Sequence, residues 1–520
     1  MAEAAAAPPD EFPAQARPPG RNGALRRGPP DLQCVAVFAR RASFLLCAAL
    51  IALGADARAQ TRTRPQPPPQ SSSHRDSDLE TVAGSAAGLP PELAADALIR
   101  IASSPRVTDP AWKRELLTEA FFRAYSAREP YRRATPQPVA PDTKEGARAF
   151  AFATSLNRVS LQARAAQMMA LVDGPAAREL FEWIDLDLSP AACDELLVPA
   201  VDEYYSALSL VARTTFDDRA EALRFLELFL WRAQLPSEFP AVARALVRFQ
   251  PHGGEAAYLE TIFGFMLETG ARDARGFSAS ATDVVSRSAD LAIAFGKLGV
   301  NPYFLMDTLR AYVITQVKGP RCADSITEAM TPAAFNTALK RTGMEAYILP
   351  IDGDSLLPSR VLGSARFEPY WQSGEAMRLR QAAIDLRGSG AAPRPLRVRQ
   401  TEEWQHAAER VLVDIQQWTG NSEATDRDYF FQKASLYQAL LDLVPPGKLR
   451  TKTIDEYVDF LRHKDDDKDT EPLWFAFVNG LLELSRGNDR PEILRAFDDA
   501  HNPSMWVYAQ LERLIPIGKR

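Results

Sequence analysis

The sequence has few residues of the types that most often bind metals or carry redox chemistry. Its 520 residues include four cysteines and five histidines. No two cysteines form a C-x-x-C pair, and the H-E-x-x-H motif of zinc peptidases is absent. The P-loop, the G-x-G-x-x-G motif of dinucleotide-binding folds and the G-x-S-x-G motif of serine hydrolases are absent as well. These absences exclude the catalytic classes that a short motif identifies, and we expect no cofactor and no metal.

Long hydrophobic segments are also missing. The longest charge-free apolar run, Ala42–Leu53, has twelve residues, whereas a membrane-spanning helix needs roughly 20. The run follows the basic pair Arg40–Arg41 and precedes Ala57–Ala59, which has small residues at both ends. This order is typical of a secretory signal peptide. We therefore predict that residues 40–59 are a signal peptide, and that the mature protein is periplasmic or secreted and not an integral membrane protein.

The segments on both sides of this signal peptide lack any regular periodicity. Residues 1–39 hold seven prolines. They are predicted to be a disordered extension, or else not to be translated at all because the true initiation site is Val35 or Val37. Residues 60–88, which begin with Gln60 after cleavage at Ala59, contain PQPPPQSSS and are predicted to be a disordered linker. Pro-rich flanks offer nothing for a core helix to pack against, which favours the signal peptide.

An excess of positive charge is absent too. The chain has 61 Lys and Arg against 67 Asp and Glu, which gives a formal net charge of −6. The basic residues are scattered through helical segments, as on a solvated surface, rather than clustered. Because a face that binds nucleic acid needs clustered basic residues, we expect no nucleic-acid partner.

Alternating strand patterns are nearly absent, and helical periodicity is present in their place. Apolar residues recur every four positions from Trp112 to Ala124, behind the pair Asp109–Pro110. A capping side chain followed by proline is a signal for the first turn of a helix. We therefore predict an all-α protein with more than half of residues 89–520 in helices. The same cap-plus-proline pattern recurs at Ser189–Pro190, Asn301–Pro302, Thr331–Pro332 and Asn502–Pro503.

The helical segments pair as hairpins of roughly 35 to 45 residues without a strict sequence repeat. This arrangement favours helical hairpins stacked as an irregular solenoid or a curved helical array. We predict an N-terminal helical array over residues 89–344 and a C-terminal helical domain over residues 401–520. Residues 345–400 mix turns, prolines and aromatic residues, and are predicted to be an irregular insertion or an inter-domain segment.

Two resemblances accompany this architecture. The array resembles the tetratricopeptide superfamily in architecture only, because its small and aromatic positions do not recur at a fixed period of about 34 residues. The first hairpin, LPPELAADALIRIA followed by AWKRELLTEAFFRA, resembles uncharacterised secreted proteins of acidobacteria. This second resemblance covers that hairpin alone, implies no activity and carries over no functional residue.

Two groups of residues are candidates for a ligand surface or a covalent link. Phe367, Tyr370 and Trp371 form an aromatic group in the irregular segment, and they either contact a ligand or pack beneath a long loop. Cys193 and Cys322 are the two cysteines that follow the signal peptide. In an oxidising compartment they either form a disulfide or remain two separate buried thiols.

Two classes of function fit this sequence. One is an exported, non-enzymatic helical scaffold or binding protein for an envelope protein or cell-wall polymer. The other is an exported α-helical polysaccharide hydrolase or lyase that uses a carboxylate pair, such as Asp185 with Asp187 or Asp217 with Asp218. A deep cleft with two carboxylates about 5 to 10 Å apart would indicate the enzyme. A groove without converging polar groups would indicate the binding protein.

Overall fold

The chain after residue 74 forms a helical array, which a computed structural model shows. The structure describes residues 75–127, 132–133, 143–186, 188–195, 197–323, 325–364, 371, 374–388, 392–420, 426–463, 471–487 and 489–515. The predicted extension (1–39), the signal peptide (40–59) and residues 60–74 of the predicted linker lie outside the described residues, as do Phe367, Tyr370 and Asp187. Helices hold 71% of the described residues, which confirms the predicted all-α fold.

The helices are numbered in chain order. Those of the N-terminal part are α1 (Ser77–Ala86), α2 (Pro91–Ser103), α3 (Pro110–Tyr125), α4 (Lys144–Phe152), α5 (Arg158–Met169), α6 (Gly174–Glu182), α7 (Asp202–Thr214), α8 (Arg219–Leu230), α9 (Phe239–Phe249), α10 (Gly253–Thr269), α11 (Ala274–Gly296), α12 (Tyr303–Lys318) and α13 (Ser325–Arg341). Those of the C-terminal part are α14 (Gly374–Arg387), α15 (Leu396–Arg399), α16 (Glu402–Gln417), α17 (Asp426–Leu443), α18 (Lys448–Arg462), α19 (Glu471–Leu484), α20 (Arg490–Asp499) and α21 (Pro503–Leu514). The other regular elements of the described chain are a 3₁₀ turn (Gly353–Ser355) and the two-residue strands β1 (Arg132–Arg133), β2 (Val198–Pro199), β3 (Pro320–Arg321) and β4 (Arg360–Val361).

Side-chain caps explain where several helices begin. The carboxylate of Asp109 accepts a hydrogen bond from the backbone N–H of Ala111 at 2.9 Å. Pro110 follows it at the first helical position, where a missing N–H removes no helical hydrogen bond. The side chain of Asn502 caps α21 by accepting from the N–H of Met505 at 2.9 Å. These starts therefore follow from the local sequence.

Two predicted helix starts are wrong. Ser189–Pro190 lies in a non-helical segment, where the N–H of Ala191 donates to the carboxylate of Asp273. This tertiary contact holds the segment against the start of α11 in a non-helical conformation. Thr331–Pro332 does not open a helix either, because Pro332 lies inside α13. At Ser189–Pro190, a contact distant in sequence thus overrides the local capping signal.

The predicted disordered linker is wrong in its last part. Residues 77–86 form α1, and the Asp76 side chain caps this helix by accepting from the N–H groups of Asp78 and Leu79. Leu79 and Val82 are buried, because α1 packs against α2 and α21. The helix is short, and its partner α21 is far away in sequence, so composition alone did not reveal it.

The helices stack side by side in one continuous row, as expected for an array of hairpins. Helices α2, α3, α5, α7, α9, α11 and α13 follow one another along the row, and α6, α8, α10 and α12 pack against them. The C-terminal helices form a second series that ends with α18, α20 and α21. Helix α21 packs against α1 and α2, while α19 packs against α4. The second series therefore joins the row at its first end, where α21, the last described helix, packs against α1 and α2.

A buried ion cluster lies where the two series meet. Asp96 of α2 is 2% exposed. Its carboxylate accepts from Arg100 at 2.8 Å and from Arg164 of α5 at 2.9 Å. The hydroxyl of Tyr508 on α21 donates to the same carboxylate at 3.0 Å. Burial would raise the pKa of Asp96, but the two guanidinium groups outweigh burial and hold the pKa below its usual value.

A second buried carboxylate strengthens the same junction. The side chain of Glu512 on α21 is 2% exposed and accepts from Arg486 at 3.0 Å. Against the effect of burial, Asp96, Tyr508 and Glu512 all raise the pKa of Arg100. Burial alone would lower the pKa of Arg100, yet the pKa lies above its ordinary value. The junction is therefore a set of mutually satisfied charges rather than a purely apolar contact.

A disulfide fastens two further segments together. Cys193 and Cys322 are 129 residues apart in sequence, and their Cα atoms are 5.4 Å apart. Cys322 directly follows β3, which pairs in parallel with β4, and the N–H of Ala323 donates to the carbonyl of Gly363 at 2.6 Å. The bond thus ties the segment before β2 to the β3–β4 pair. A bridge over so long a loop mainly restricts the unfolded chain.

Removing the disulfide should lower the free energy of unfolding. The double variant Cys193→Ala/Cys322→Ala is expected to lose about 2 to 5 kcal/mol, because its unfolded chain regains loop entropy. Urea unfolding of the mature protein measures this change. Dithiothreitol should destabilise the wild-type protein and leave the double variant unaffected. An equal unfolding midpoint for both proteins without reductant would show that the bond contributes nothing.

Breaking the junction cluster should cost more than breaking a surface ion pair. Asp96→Asn removes the buried carboxylate that pairs with both Arg100 and Arg164, whose side chains are half-buried, so we expect a loss of about 3 to 5 kcal/mol. The control is Asp455→Asn, which breaks the 2.7 Å ion pair between Asp455 and Arg495, whose side chains are 44% and 48% exposed, respectively. This variant should lose about 0 to 1 kcal/mol of stability.

The pH dependence gives a second measurement of the same cluster. Folding lowers the pKa of Asp96, so its carboxylate stabilises the folded protein at pH values above its pKa in the unfolded chain. That stabilisation is lost as the pH falls through its pKa in the folded protein. The difference between wild type and Asp96→Asn should therefore shrink below about pH 4. Equal losses for the Asp96 and Asp455 variants at neutral pH would contradict the assignment.

Candidate ligand-binding cavity

An open cavity lies between helices from both parts of the chain. Its volume is 680 Å³, within the range of about 300 to 1,000 Å³ for small-molecule sites. The walls are formed by α4, α14, α17 and α19, together with Trp371 and Pro393 beside α14. Helix α4 precedes α14 by more than 200 residues, so the cavity exists only because the C-terminal helices return to the N-terminal ones.

Helical spacing places the lining residues of α14 and α17 on single faces. On α14 the lining residues recur three or four positions apart, as expected for one stripe of a helix. They are Arg380, Ala383, Ile384 and Arg387. On α17 the stripe runs from Phe431 to Leu443 and also includes Ser435, Leu436, Gln438, Ala439 and Asp442. These stripes on α14 and α17, two helices that pack against each other, therefore form part of the cavity wall.

Aromatic rings form the apolar part of the lining. The ring centroid of Phe477 on α19 lies 5.1 Å from that of Phe150 on α4 and 5.8 Å from that of Phe431. Phe150 and Ile384 keep 36% and 43% of their surfaces exposed, although both line the cavity. This exposed apolar area is available to a ligand, and its burial would favour binding.

Charged groups lie at the edge of this apolar surface. The guanidinium of Arg380 stands 5.3 Å from the ring centroid of Trp371, within cation–π distance. Asp442 also lines the cavity. Burial raises the pKa of the Asp442 carboxyl, and the positive charges of Arg450 and Arg387 partly offset that rise. The cavity therefore combines a large apolar wall with two arginines and one acid.

The structure places only part of the aromatic group predicted from the sequence. Trp371 lines the cavity and packs against the core, while Phe367 and Tyr370 lie outside the described residues. The lining also includes Phe150, Phe431, Phe477 and Arg380, which sequence reasoning missed. The stripe from Arg380 to Arg387 is visible in the sequence, but the partners of that stripe are not.

Asp185, Asp217 and Asp218 do not line the cavity. Asp185 is exposed, and Asp187 lies outside the described residues. Asp217 and Asp218 are also exposed, and Asp218 accepts from the N–H of Ala220 at 2.9 Å as the cap of α8. Within the described lining, Asp442 is the one carboxylate. The geometry of an acid–base pair is therefore absent from this part of the protein.

The described residues hold neither a metal-binding cluster nor a membrane-spanning helix. No group of three or more His, Cys, Asp or Glu side chains within the described ranges is placed to hold a metal ion. None of the helices in the described part of the chain is both long and apolar enough to cross a membrane.

One buried carboxylate outside the cavity is unusual. Glu260 of α10 is 5% exposed, and its Oε1 has no hydrogen-bond partner among the described residues. Burial raises the pKa of Glu260 to about 7. The ordinary pKa is 4.5, so Glu260 loses its proton at a lower pH in the unfolded chain than in the folded protein. This residue therefore lowers the stability of the folded protein as the pH rises from 4.5 to about 7.

Replacing Glu260 should therefore change how stability depends on pH. Glu260→Gln cannot ionise, so its stability relative to wild type is expected to rise between pH 5 and pH 8. Thermal unfolding at both pH values measures the difference, and the exposed Glu268 on the same helix provides the control variant Glu268→Gln. A difference that stays constant with pH would show that Glu260 ionises as easily in the folded as in the unfolded state.

Comparison with known proteins gives no relative for this chain. No family model, no curated protein and no solved structure matches it significantly.

Proposed function

We propose that this protein is an exported, non-enzymatic helical binding protein, and that its cavity holds an apolar group of an envelope protein or polymer. One observation carries the proposal. The cavity presents exposed apolar side chains, among them Phe150 and Ile384, in a concave site of ligand size. Export is proposed from the signal peptide predicted over residues 40–59.

The alternative, a polysaccharide hydrolase or lyase, has less support. Such an enzyme needs two carboxyl groups across the scissile bond, about 5 to 10 Å apart. Asp442 is the one carboxylate of the described lining, and the exposed Asp218 serves as a helix cap. Aromatic walls with a single acid suit binding better than acid–base catalysis.

Filling the cavity should abolish partner capture. Ala439 lines the cavity and is exposed, so Ala439→Trp adds an indole to the binding space without disturbing the core. We expect the mature wild-type protein to capture a defined set of components from an envelope extract, and the variant to lose them. Quantitative mass spectrometry and a polysaccharide-binding screen measure the capture.

The matched control is Ala333→Trp. Ala333 is an exposed helical alanine of α13 that does not line the cavity, so this variant should capture the same components as wild type. Equal capture by both tryptophan variants would place the binding surface elsewhere. Release of reducing sugars from the polysaccharides by the wild-type protein would instead support the enzyme.

A further inference from the structure

We infer that the protein has a second binding surface, and that this surface takes a polysaccharide chain without acidic groups. The surface, the aromatic face, consists of Trp231 directly after α8, Phe265 of α10 and Phe304 of α12, with a carboxylate beside each ring. None of these residues lines the cavity, so the aromatic face is a site beyond the one in the proposed function.

The three rings form a row across three helices. Trp231, Phe265 and Phe304 are 45%, 46% and 44% exposed. The ring centroids of Trp231 and Phe265 lie 5.4 Å apart. A Cβ added to Gly264 would lie 2.6 Å from Cε1 of Phe304, so the Phe304 ring rests on the backbone of α10 next to Phe265. The row therefore leaves nearly half of each side chain open to a ligand that extends across the helices.

These exposed rings are held in place by specific contacts. The indole Nε1 of Trp231 donates to the carboxylate of Glu227 at 3.1 Å. The same carboxylate interacts with the hydroxyl of Tyr258 and raises its pKa. A glycine inside a helix is destabilising, but Gly264 leaves the room that the Phe304 ring occupies. Rings that are already oriented lose less freedom when a ligand binds, which favours affinity.

Polar groups alternate with the rings. Each ring has a carboxylate one helical turn away in the same segment of chain, and these are Glu227, Glu268 and Asp307. Glu268 and Asp307 are exposed and form no ion pair with a residue that the structure describes. Arg224 is also exposed on α8, two helical turns before Trp231. The aromatic face therefore offers hydrogen-bond acceptors and a donor around its apolar rings.

A polysaccharide matches this alternation better than a protein or an acidic polymer does. A sugar ring has an apolar C–H face that can cover an aromatic ring, and its hydroxyl groups can donate to carboxylates at its edge. The core of a protein–protein interface is instead depleted of Glu and Asp. An acidic polymer would be repelled by the three carboxylates.

Native electrophoresis of the mature protein through gels that contain soluble polysaccharides tests the inference. The uncharged polymers are hydroxyethylcellulose, glucomannan and dextran, and we expect at least one of them to retard the protein. The carboxymethyl derivative of that polymer has the same backbone and should bind about tenfold more weakly, because its charges meet the carboxylates of the face.

Variants assign the retardation to the rings. Phe265→Ala and Trp231→Ala should each weaken binding about five- to tenfold, because each removes apolar area that the sugar would cover. The matched control is Phe122→Ala, since Phe122 is an exposed helical phenylalanine of α3 outside the aromatic face; it should bind as wild type does. Thermal unfolding of each variant checks that it is folded.

A charge variant tests the role of the carboxylates. Glu268→Gln/Asp307→Asn removes two negative charges and keeps side chains that can accept hydrogen bonds. Its affinities for the uncharged polymer and for the carboxymethyl derivative should therefore lie closer together than those of the wild-type protein. An unchanged ratio would show that the acidic polymer is not excluded by these side chains, and would contradict their place in the site.

The remaining outcomes separate this inference from the proposed function. Ala439→Trp fills the cavity and should keep the retardation. Retardation lost in Ala439→Trp and kept in both ring variants would place the polysaccharide in the cavity, which would overturn the aromatic face and support the proposed function. Retardation by none of the uncharged polymers would overturn the inference as well. Binding of polylysine without binding of any polysaccharide would assign the face to a basic protein segment.

Discussion

The buried carboxylate of Asp96 is the contact on which this arrangement depends. It accepts hydrogen bonds from Arg100, Arg164 and Tyr508, which lie on three different helices. Tyr508 belongs to the last helix of the described chain. A buried charge of this kind is costly unless all of its partners are in place, so it favours one register between α21 and the start of the array. That register brings α19 against α4, and the cavity opens beside that contact.

Much of the helical organisation could be predicted from short stretches of sequence. The pair Asp109–Pro110 and the apolar spacing after it specify a helix by local physics alone, and the start at Asn502 follows the same rule. Predictions failed where distant contacts decide. Ser189–Pro190 is held beside α11 by Asp273, and α1 is buried by α21, which no local signal could show. The meeting of Tyr508 with Asp96 spans 412 residues.

The site was predictable only in fragments. Trp371 stood out because it is an aromatic residue in an irregular segment, and the stripe from Arg380 to Arg387 has visible helical spacing. Nothing in the sequence indicated that Phe150 and Phe477 would contact each other, because that contact depends on how the two series of helices join. The absence of a second carboxylate from the described lining is likewise a property of packing, since acidic residues are common along the chain.

The central claim is that the buried junction supports the cavity. Hydrogen exchange measured by mass spectrometry on Asp96→Asn and the wild-type protein tests this link most directly. The account predicts that exchange rises together in α2 and α21 at the junction and in α4 and α19 at the cavity, while α9–α12 keep their protection. A rise confined to the junction, with α4 and α19 unchanged, would show that the cavity forms independently and would contradict the account.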